Sequence, residues 1–177
     1  DQGGLDMWFN PTYRGVRILH NLWSHIGGEK NDRMRAGVRL DDAICGVLIY
    51  GNIFYRAAEG LFGGVQIHGG KENEVVNNLF VDCRTGVSFS GWGPQRWKEY
   101  LASQPFIEAT TKAVDITRPP YSTRYPALAR LAEQSDVNRI WNNIFAGVPV
   151  MLARDGGIQD LMENHAFALP PGLVGQT

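Results

Sequence analysis

The sequence predicts an all-β chain built as a solenoid of about five stacked repeats, and two interleaved motifs carry this prediction. The first motif is an Asn that follows an aliphatic residue by three positions and, in most copies, precedes an aromatic residue by two. Its copies are VRILHNLW, VLIYGNIF, NEVVNNLF, NRIWNNIF and, without the aromatic residue, QDLMENHA. The Asn residues are Asn21, Asn52, Asn78, Asn143 and Asn164. One repeating phase indicates copies that stack with like residues above like.

The second motif is a Gly followed by alternating apolar residues, which is typical of a β-strand. Its copies are GLDMW, GVRLD, GVQIH, GVSFS and GVPVM, which begin at Gly4, Gly37, Gly64, Gly86 and Gly147. Each repeat is therefore predicted as strand, turn, strand, Asn turn and strand. The Asn amide can bond the backbone and the Asn of the next repeat, and Asn tolerates left-handed backbone angles.

A block from about residue 91 to residue 136 interrupts the repeats inside what is otherwise one domain, residues 1–177. PQRWKEYLAS and YPALARLAEQ predict two short helices in it, separated by a Pro-rich loop. Insertions in solenoids lie on one face, which is often the binding face. A cap over a strand edge or a subunit contact is the alternative.

These motifs resemble the repeats of right-handed parallel β-helix proteins of the pectate-lyase-like superfamily. GVRLDD, YGNIFYR, VVNNLFVDC and PPYSTRYPALARL are similar to stretches of bacterial β-helix proteins grouped with carbohydrate-active enzymes. The resemblance covers nearly the whole chain outside the insertion, and it is specific for fold and not for reaction. It implies a right-handed β-helix, a polysaccharide or oligosaccharide partner and an extracellular or periplasmic location. Another small-coil solenoid or an irregular β-sandwich is the alternative fold.

Composition limits the other function classes. The formal net charge is −1, and no long run of Lys or Arg supplies the positive surface that nucleic acid or anionic lipid requires. No apolar stretch is long enough for a membrane span, and the start, DQGGLDMWFN, lacks an initiator Met and a signal region. We therefore expect the C-terminal part of a longer protein. Cys45 and Cys83 lack metal-site spacing and are predicted as buried apolar residues.

Two outward rows form if the alternate residues of the Gly-led strands face away from the core. The first row contains Asp6, Arg39, Gln66, Ser88 and Pro149, and the second contains Trp8, Asp41, His68, Ser90 and Met151. Neighbours in a row are expected about 4.8 Å apart, the spacing of adjacent strands. Polar side chains concentrate in the first three repeats, which predicts a site there.

The catalytic prediction rests on Asp41, which Trp8 and His68 flank in the second row, while Asp42 begins the following turn. Asp6 lies on a diagonal of roughly 8 Å between backbones. Inverting glycosidases hold two carboxyl groups about 6.5–9.5 Å apart. We therefore predict Asp41 as the acid, with Asp6 or Asp42 as its partner, and His68 as a further catalytic candidate.

The surroundings of these carboxylates extend the prediction. Arg39 would keep Asp6 ionised, and Trp8 would raise the pKa of Asp41. The predicted substrate-binding residues are Trp8, Arg39, Gln66, Ser90 and Trp92. The alternatives are turn chemistry for the two adjacent Asp residues, an exposed ion pair for Arg39, and a packing role for Trp92. No cofactor is predicted, and calcium is the alternative because carboxylates bind hard cations.

These residues are compatible with three functions. The first is a glycoside hydrolase acting on a glycan along the Gly-led strands. The second is a polysaccharide lyase, in which Arg39 or His68 takes a proton next to a uronate carboxylate. Only Lys30, Arg33 and Arg35 would add positive charge for a polyanion, which favours the hydrolase. The third is a non-catalytic carbohydrate-binding or structural segment.

Overall fold

The computed structural model describes residues 2–27, 33–133, 135–154 and 158–170. Its strands form three sheets, which we call A, B and C. Sheet A contains β1 (Gln2–Trp8), β4 (Arg35–Asp41), β8 (Val65–His68), β11 (Thr85–Ser90) and β14 (Val150–Ala153), with β7 (Ala58–Glu59) antiparallel to β4. Sheet B contains β2 (Arg17–Leu19), β5 (Leu48–Tyr50), β9 (Glu74–Val76), β12 (Val137–Trp141) and β15 (Ile158–Met162). Sheet C contains β3 (Leu22–Ser24), β6 (Ile53–Tyr55), β10 (Leu79–Val81), β13 (Ile144–Ala146) and β16 (His165–Phe167).

The chain visits the three sheets in the same order in each of its five repeats. Apart from β7, every strand pairs in parallel with the corresponding strand of the neighbouring repeat. The fold is thus predominantly β with parallel sheets, and it is compatible with a parallel β-helix. The main apolar core contains side chains from all three sheets, including Val38, Ile49 and Phe54.

The predicted Asn turn lies between sheets B and C, where it forms a ladder. The side-chain Nδ2 of Asn21, Asn52, Asn78 and Asn143 donates to the Oδ1 of the Asn in the next repeat, each over 3.0 Å. At the buried residues Asn52, Asn78 and Asn143, each amide therefore satisfies its neighbour where water is excluded. The left-handed backbone angles fall on the preceding residue, such as Asn77 and Asn142, and not on the ladder Asn as predicted.

The Gly-led strands and the aromatic residues of sheet C are coupled by packing. The rings of Trp23, Phe54, Phe80 and Phe145 stack, with the last three at centroid separations of 4.7 and 4.9 Å. A Cβ on Gly37 would lie 2.8 Å from Phe54 Cδ1, and a Cβ on Gly64 would lie 3.1 Å from the same atom of Phe80. Glycine is therefore required where a strand of sheet A passes the ring of its own repeat.

The fifth repeat departs from the predicted register. Ser88 pairs with Ala153 and not with Pro149, a shift of four residues, so the positions predicted for Pro149 and Met151 are wrong. The physical reason lies at Gly147, which adopts a φ of +65° in a turn that packs on Leu169. The strand consequently begins at Val150.

The insertion follows β11 and returns to β12 at the predicted boundaries. It contains α1 (Gly93–Leu101), α2 (Gln104–Glu108), a π-helical turn (Ala109–Ala113), α3 (Tyr121–Arg124) and a 3₁₀ turn (Pro126–Arg130). The first predicted helix is confirmed, whereas the second is the short 3₁₀ turn. Among the described residues, no helix has the length and apolarity needed to cross a membrane.

The insertion packs on the turn that follows β4. Trp92, Trp97 and Leu131 form a second apolar cluster with Ala43 and Cys45. The indole N–H of Trp97 donates to the carbonyl of Leu131 over 3.0 Å, which ties the two ends of the insertion together. This packing places α1 beside the carboxyl ends of the sheet A strands.

Candidate functional site

The candidate site lies at the carboxyl ends of β1, β4 and β8, next to α1. The strand register brings together the residues predicted from the sequence rows. Trp8 pairs with Asp41, and His68 pairs with Ser90 on the following strand. Asp6 pairs with Arg39, so Asp6 and Asp41 lie on the predicted diagonal. Parallel register thus converts the sequence spacing into one contiguous group of polar side chains.

Asp41 is the buried member of this group, with only 6% of its surface exposed. Its Oδ2 lies 2.6 Å from Nη2 of Arg39, and its Oδ1 lies 3.0 Å from Nδ1 of His68. A buried carboxylate requires such partners, because an unpaired charge in this position would be strongly destabilising. Asp41 therefore links the guanidinium group to the imidazole ring.

Asp42 lies directly after β4 and has a left-handed backbone, with φ at 45°. Its side chain is held from three separate segments. Trp8 Nε1 donates to Oδ2 over 2.9 Å, Arg96 of α1 lies 3.3 Å from Oδ1, and His68 Nδ1 lies 3.2 Å from the same oxygen. The turn geometry expected for Asp42 is thus present, and it orients the carboxylate toward these partners.

His68 faces both carboxylates with a single ring nitrogen. Ionised carboxylates only accept hydrogen bonds, so the tautomer that pairs with them is the one with its proton on Nδ1, and that tautomer has its lone pair on Nε2. One ligand atom from each of Asp41, Asp42 and His68 lies within 4.8 Å of the others. The group can therefore exchange protons with a substrate. The same donor set suits a divalent cation, for which the imidazole favours a transition metal over calcium.

Arg39 bridges the two predicted carboxylates instead of serving one of them. Its Nη1 lies 3.1 Å from Oδ2 of Asp6, and its Nη2 binds Asp41. The sequence predicts Arg39 beside Asp6 and Trp8 beside Asp41. The indole N–H of Trp8 instead binds Asp42. Asp6 and Asp41 therefore share Arg39 as a partner, and the predicted contrast between their partners is not observed.

The first row continues with Gln66 and Ser88, and the prediction that they face outward is wrong. Gln66 and Ser88 are both fully buried. The amide of Gln66 donates to Ser90 Oγ over 3.0 Å and accepts from Arg154 Nη2 over 3.1 Å. The backbone N–H of Gly63 donates to Ser88 Oγ, so the turn after β7 closes over this part of sheet A. The buried Gln66 consequently hydrogen-bonds the half-buried Ser90.

The aromatic residues near the site differ in accessibility. Trp8 is 64% exposed, and its ring contacts Phe9, which in turn packs on Tyr100. Trp92 is 8% exposed, and the guanidinium group of Arg96 lies 3.9 Å from its ring centroid. This placement favours a packing role for Trp92, whereas Trp8 offers an open face to a ligand.

Three residues near the site were not selected from the sequence. Arg96 lies in the insertion, Phe62 is buried in the turn after β7, and Arg154 follows the fifth sheet A strand. Phe62 lies between Arg39 and Arg154, each 5.7 Å from its ring centroid. The sequence signal that could have indicated the closing turn is the apolar pair in GLFGG. Lys30, considered for a polyanion site, lies outside the described residues.

Comparisons with known proteins add no identification. No family model matches this chain, and neither the curated proteins nor the solved structures give a match. The functional interpretation therefore depends on the geometry of the site alone.

Proposed function

We propose that the protein is a glycoside hydrolase, in which Asp41, Asp42 and His68 carry out acid–base chemistry on a bound glycan. The observation that carries the proposal is the convergence of the three groups within 4.8 Å beside the exposed ring of Trp8. Glycoside hydrolysis needs one group that protonates the leaving oxygen and one that activates water or attacks the sugar.

The contacts suggest different roles for the three groups. Asp42 and His68 have partly exposed side chains, at 21% and 30%, so both can reach a substrate. Asp41 is held by Arg39 and orients the ring through Nδ1 of His68. Asp41 is thus a positioning residue, while Asp42 and His68 exchange protons with the glycosidic oxygen and water.

The wider fold and the partner belong to the same proposal. Parallel sheets, the Asn ladder and the Gly–aromatic packing support a right-handed parallel β-helix of the pectate-lyase-like superfamily. A polysaccharide would then bind at the carboxyl ends of the sheet A strands and stack one sugar ring on Trp8, since flat aromatic faces suit the apolar side of a pyranose.

A polysaccharide lyase is the second candidate, and the tautomer of His68 favours it. With a proton on Nδ1, the lone pair of Nε2 can take a proton next to a uronate carboxylate. Arg39 is a poor base here because its guanidinium group binds two carboxylates and stays protonated. The carboxylates that surround His68 would repel a polyanion, which is why the hydrolase is the first candidate.

The test measures reducing-end release from a panel of neutral and acidic polysaccharides. We expect release by the unmodified protein, and at least about a hundredfold loss in the variants Asp42→Asn and His68→Gln. Asp160→Asn is the matched control, because Asp160 pairs with Arg139 across strands far along the chain from the site.

Product chemistry separates the two enzymes. A lyase leaves an unsaturated sugar end that absorbs ultraviolet light, whereas a hydrolase consumes one water per bond and leaves none. Unchanged activity in both site variants would remove the proposed site, and binding without cleavage would support a non-catalytic carbohydrate-binding segment.

A further inference from the structure

Phe9 occupies a backbone position that suits smaller residues. The residues that directly follow β1, β4 and β8 are Phe9, Asp42 and Gly69, and all three have a left-handed backbone, with φ at 59°, 45° and 65°. Gly adopts this conformation without strain and Asp tolerates it, whereas a bulky side chain is disfavoured there. The same turn thus occurs in three repeats, and the first repeat carries the residue that fits it least well.

Contacts from two other segments hold Phe9 in this conformation. Its backbone N–H donates to the carbonyl of Asp41 over 3.1 Å, and its carbonyl accepts from the hydroxyl group of Tyr100 over 3.2 Å. The centroids of the Phe9 and Tyr100 rings lie 4.9 Å apart in an edge-on arrangement. Backbone strain that the surrounding structure maintains is concentrated at functional sites, which makes Phe9 a candidate for function.

The ring of Phe9 enlarges the exposed aromatic surface beside the candidate site. Phe9 is 39% exposed and Trp8 is 64% exposed. Their ring centroids lie 5.2 Å apart, and the ring planes are inclined by 31°. This separation is comparable to the length of one sugar unit in a chain, so the two rings can pack against two successive sugars. Because the indole N–H of Trp8 donates to Asp42, this surface begins at the proposed acid–base groups.

The charges of the candidate site favour a neutral sugar chain over an acidic one. Arg39 pairs with two carboxylates of the protein, and Arg96 pairs with a third. The carboxylate of an acidic sugar would therefore compete with these aspartates and add negative charge beside them. An aromatic surface binds the apolar face of a sugar and needs no charge on the ligand.

We propose that Phe9 is a specificity-determining residue that binds the second sugar of a neutral glycan, next to the sugar that packs on Trp8. The inference rests on the proposed function, which places the first sugar. It narrows the substrate to a neutral chain of at least two sugars on this side of the candidate site. A single sugar reaches only one of the two rings and binds more weakly.

The test is titration calorimetry with tetrasaccharides of cellulose, xylan and mannan, with their monosaccharides and with tetragalacturonic acid. It uses the Asp42→Asn protein, so that cleavage does not consume the ligand. We expect at least one neutral tetrasaccharide to bind, about tenfold or more tightly than its monosaccharide, and tetragalacturonic acid not to bind. Adding Phe9→Asn should weaken this binding about tenfold, because one ring contact is lost. The urea midpoint should not fall, because Asn tolerates the left-handed backbone.

A matched control and the cleavage assay separate the outcomes. Phe167→Asn makes the same substitution at a phenylalanine that is 58% exposed in the last strand of sheet C, and it should leave the affinity unchanged. Unchanged affinity in Phe9→Asn with a lower urea midpoint would assign Phe9 to packing and overturn the inference. Binding of tetragalacturonic acid alone, or of no tetrasaccharide, would also overturn it. Binding that depends on Phe9, without reducing-end release by the unmodified protein, would contradict the hydrolase and still support the role of Phe9.

Discussion

Two groups of hydrogen-bonded polar residues in this protein differ in whether they repeat. The Asn ladder places the same amide at the same turn in successive repeats, and every member bonds its equivalent. The group around Asp41 occurs once, and its partners come from β1, β8 and the insertion. The ladder is explained by folding alone. The group around Asp41 concentrates charge where folding does not require it, which is the physical reason to assign it a function.

The largest expected loss of stability follows from a substitution in the Asn ladder. Asn78→Ala removes an amide that bonds Asn52, Asn143, Ile49 and Val76, so several buried groups lose their partners. We expect a loss of about 3 kcal/mol or more in the free energy of unfolding, measured by urea denaturation. Asn21→Ala at the exposed end is the control and should cost less than about 1 kcal/mol. Equal losses would mean that position in the ladder is irrelevant.

The next effect concerns the packing between Gly64 and Phe80. Gly64→Ala forces a methyl group against the ring, and we expect a loss of about 1–3 kcal/mol in the free energy of unfolding. Phe80→Leu shortens the side chain that causes the contact. The double variant should therefore lose less than the sum of the single losses when all three are measured by urea denaturation. Simple additivity would contradict the proposed coupling.

A smaller effect on stability is expected at the non-repeating group. Asp42→Asn keeps an oxygen for the indole N–H of Trp8, and its remaining partners are partly exposed. The free energy of unfolding should change by less than about 1 kcal/mol, as is usual for exposed ion pairs. Thermal unfolding beside the activity assay provides the measurement. A loss as large as that of Asn78→Ala would assign Asp42 to the fold instead of to function.

The smallest expected effect concerns the reactivity of the two thiols, Cys45 and Cys83, in the native protein. Burial raises the pKa of Cys45 to about 12 and the pKa of Cys83 to about 11. Both values lie above the ordinary 9.0, so the thiols contribute stability below pH 9 that is lost as the pH rises toward these values. Neither thiol should react with a maleimide at neutral pH.

Thiol labelling in mild denaturant compares the stability of the insertion with that of the sheets. Cys45 packs against the insertion, whereas Cys83 belongs to the main core between the sheets. If the insertion opens before the sheets, Cys45 should be labelled first, which peptide mass spectrometry can detect. Simultaneous labelling would show that insertion and sheets unfold as one unit.

Parts of the site could be predicted from the sequence and parts could not. Trp8, Asp41 and His68 are brought together by strand register, which the spacing of the Gly-led motif defines. The contact of Arg96 with Asp42 depends on how the insertion folds back, and no local pattern encodes that. The burial of Gln66 likewise depends on a turn and on Arg154 from another repeat.

The sequence by itself determined the repeating features, namely the strand–turn–strand repeat, the Asn ladder and the Gly-led strands. These features follow from short-range spacing and from the stacking of equivalent units, so one motif predicts its copies. The tertiary structure alone decided the register of the fifth repeat, the closure over Gln66 and the contact of Tyr100 with Phe9. Each of these depends on contacts between segments far apart in the chain, which local patterns do not specify.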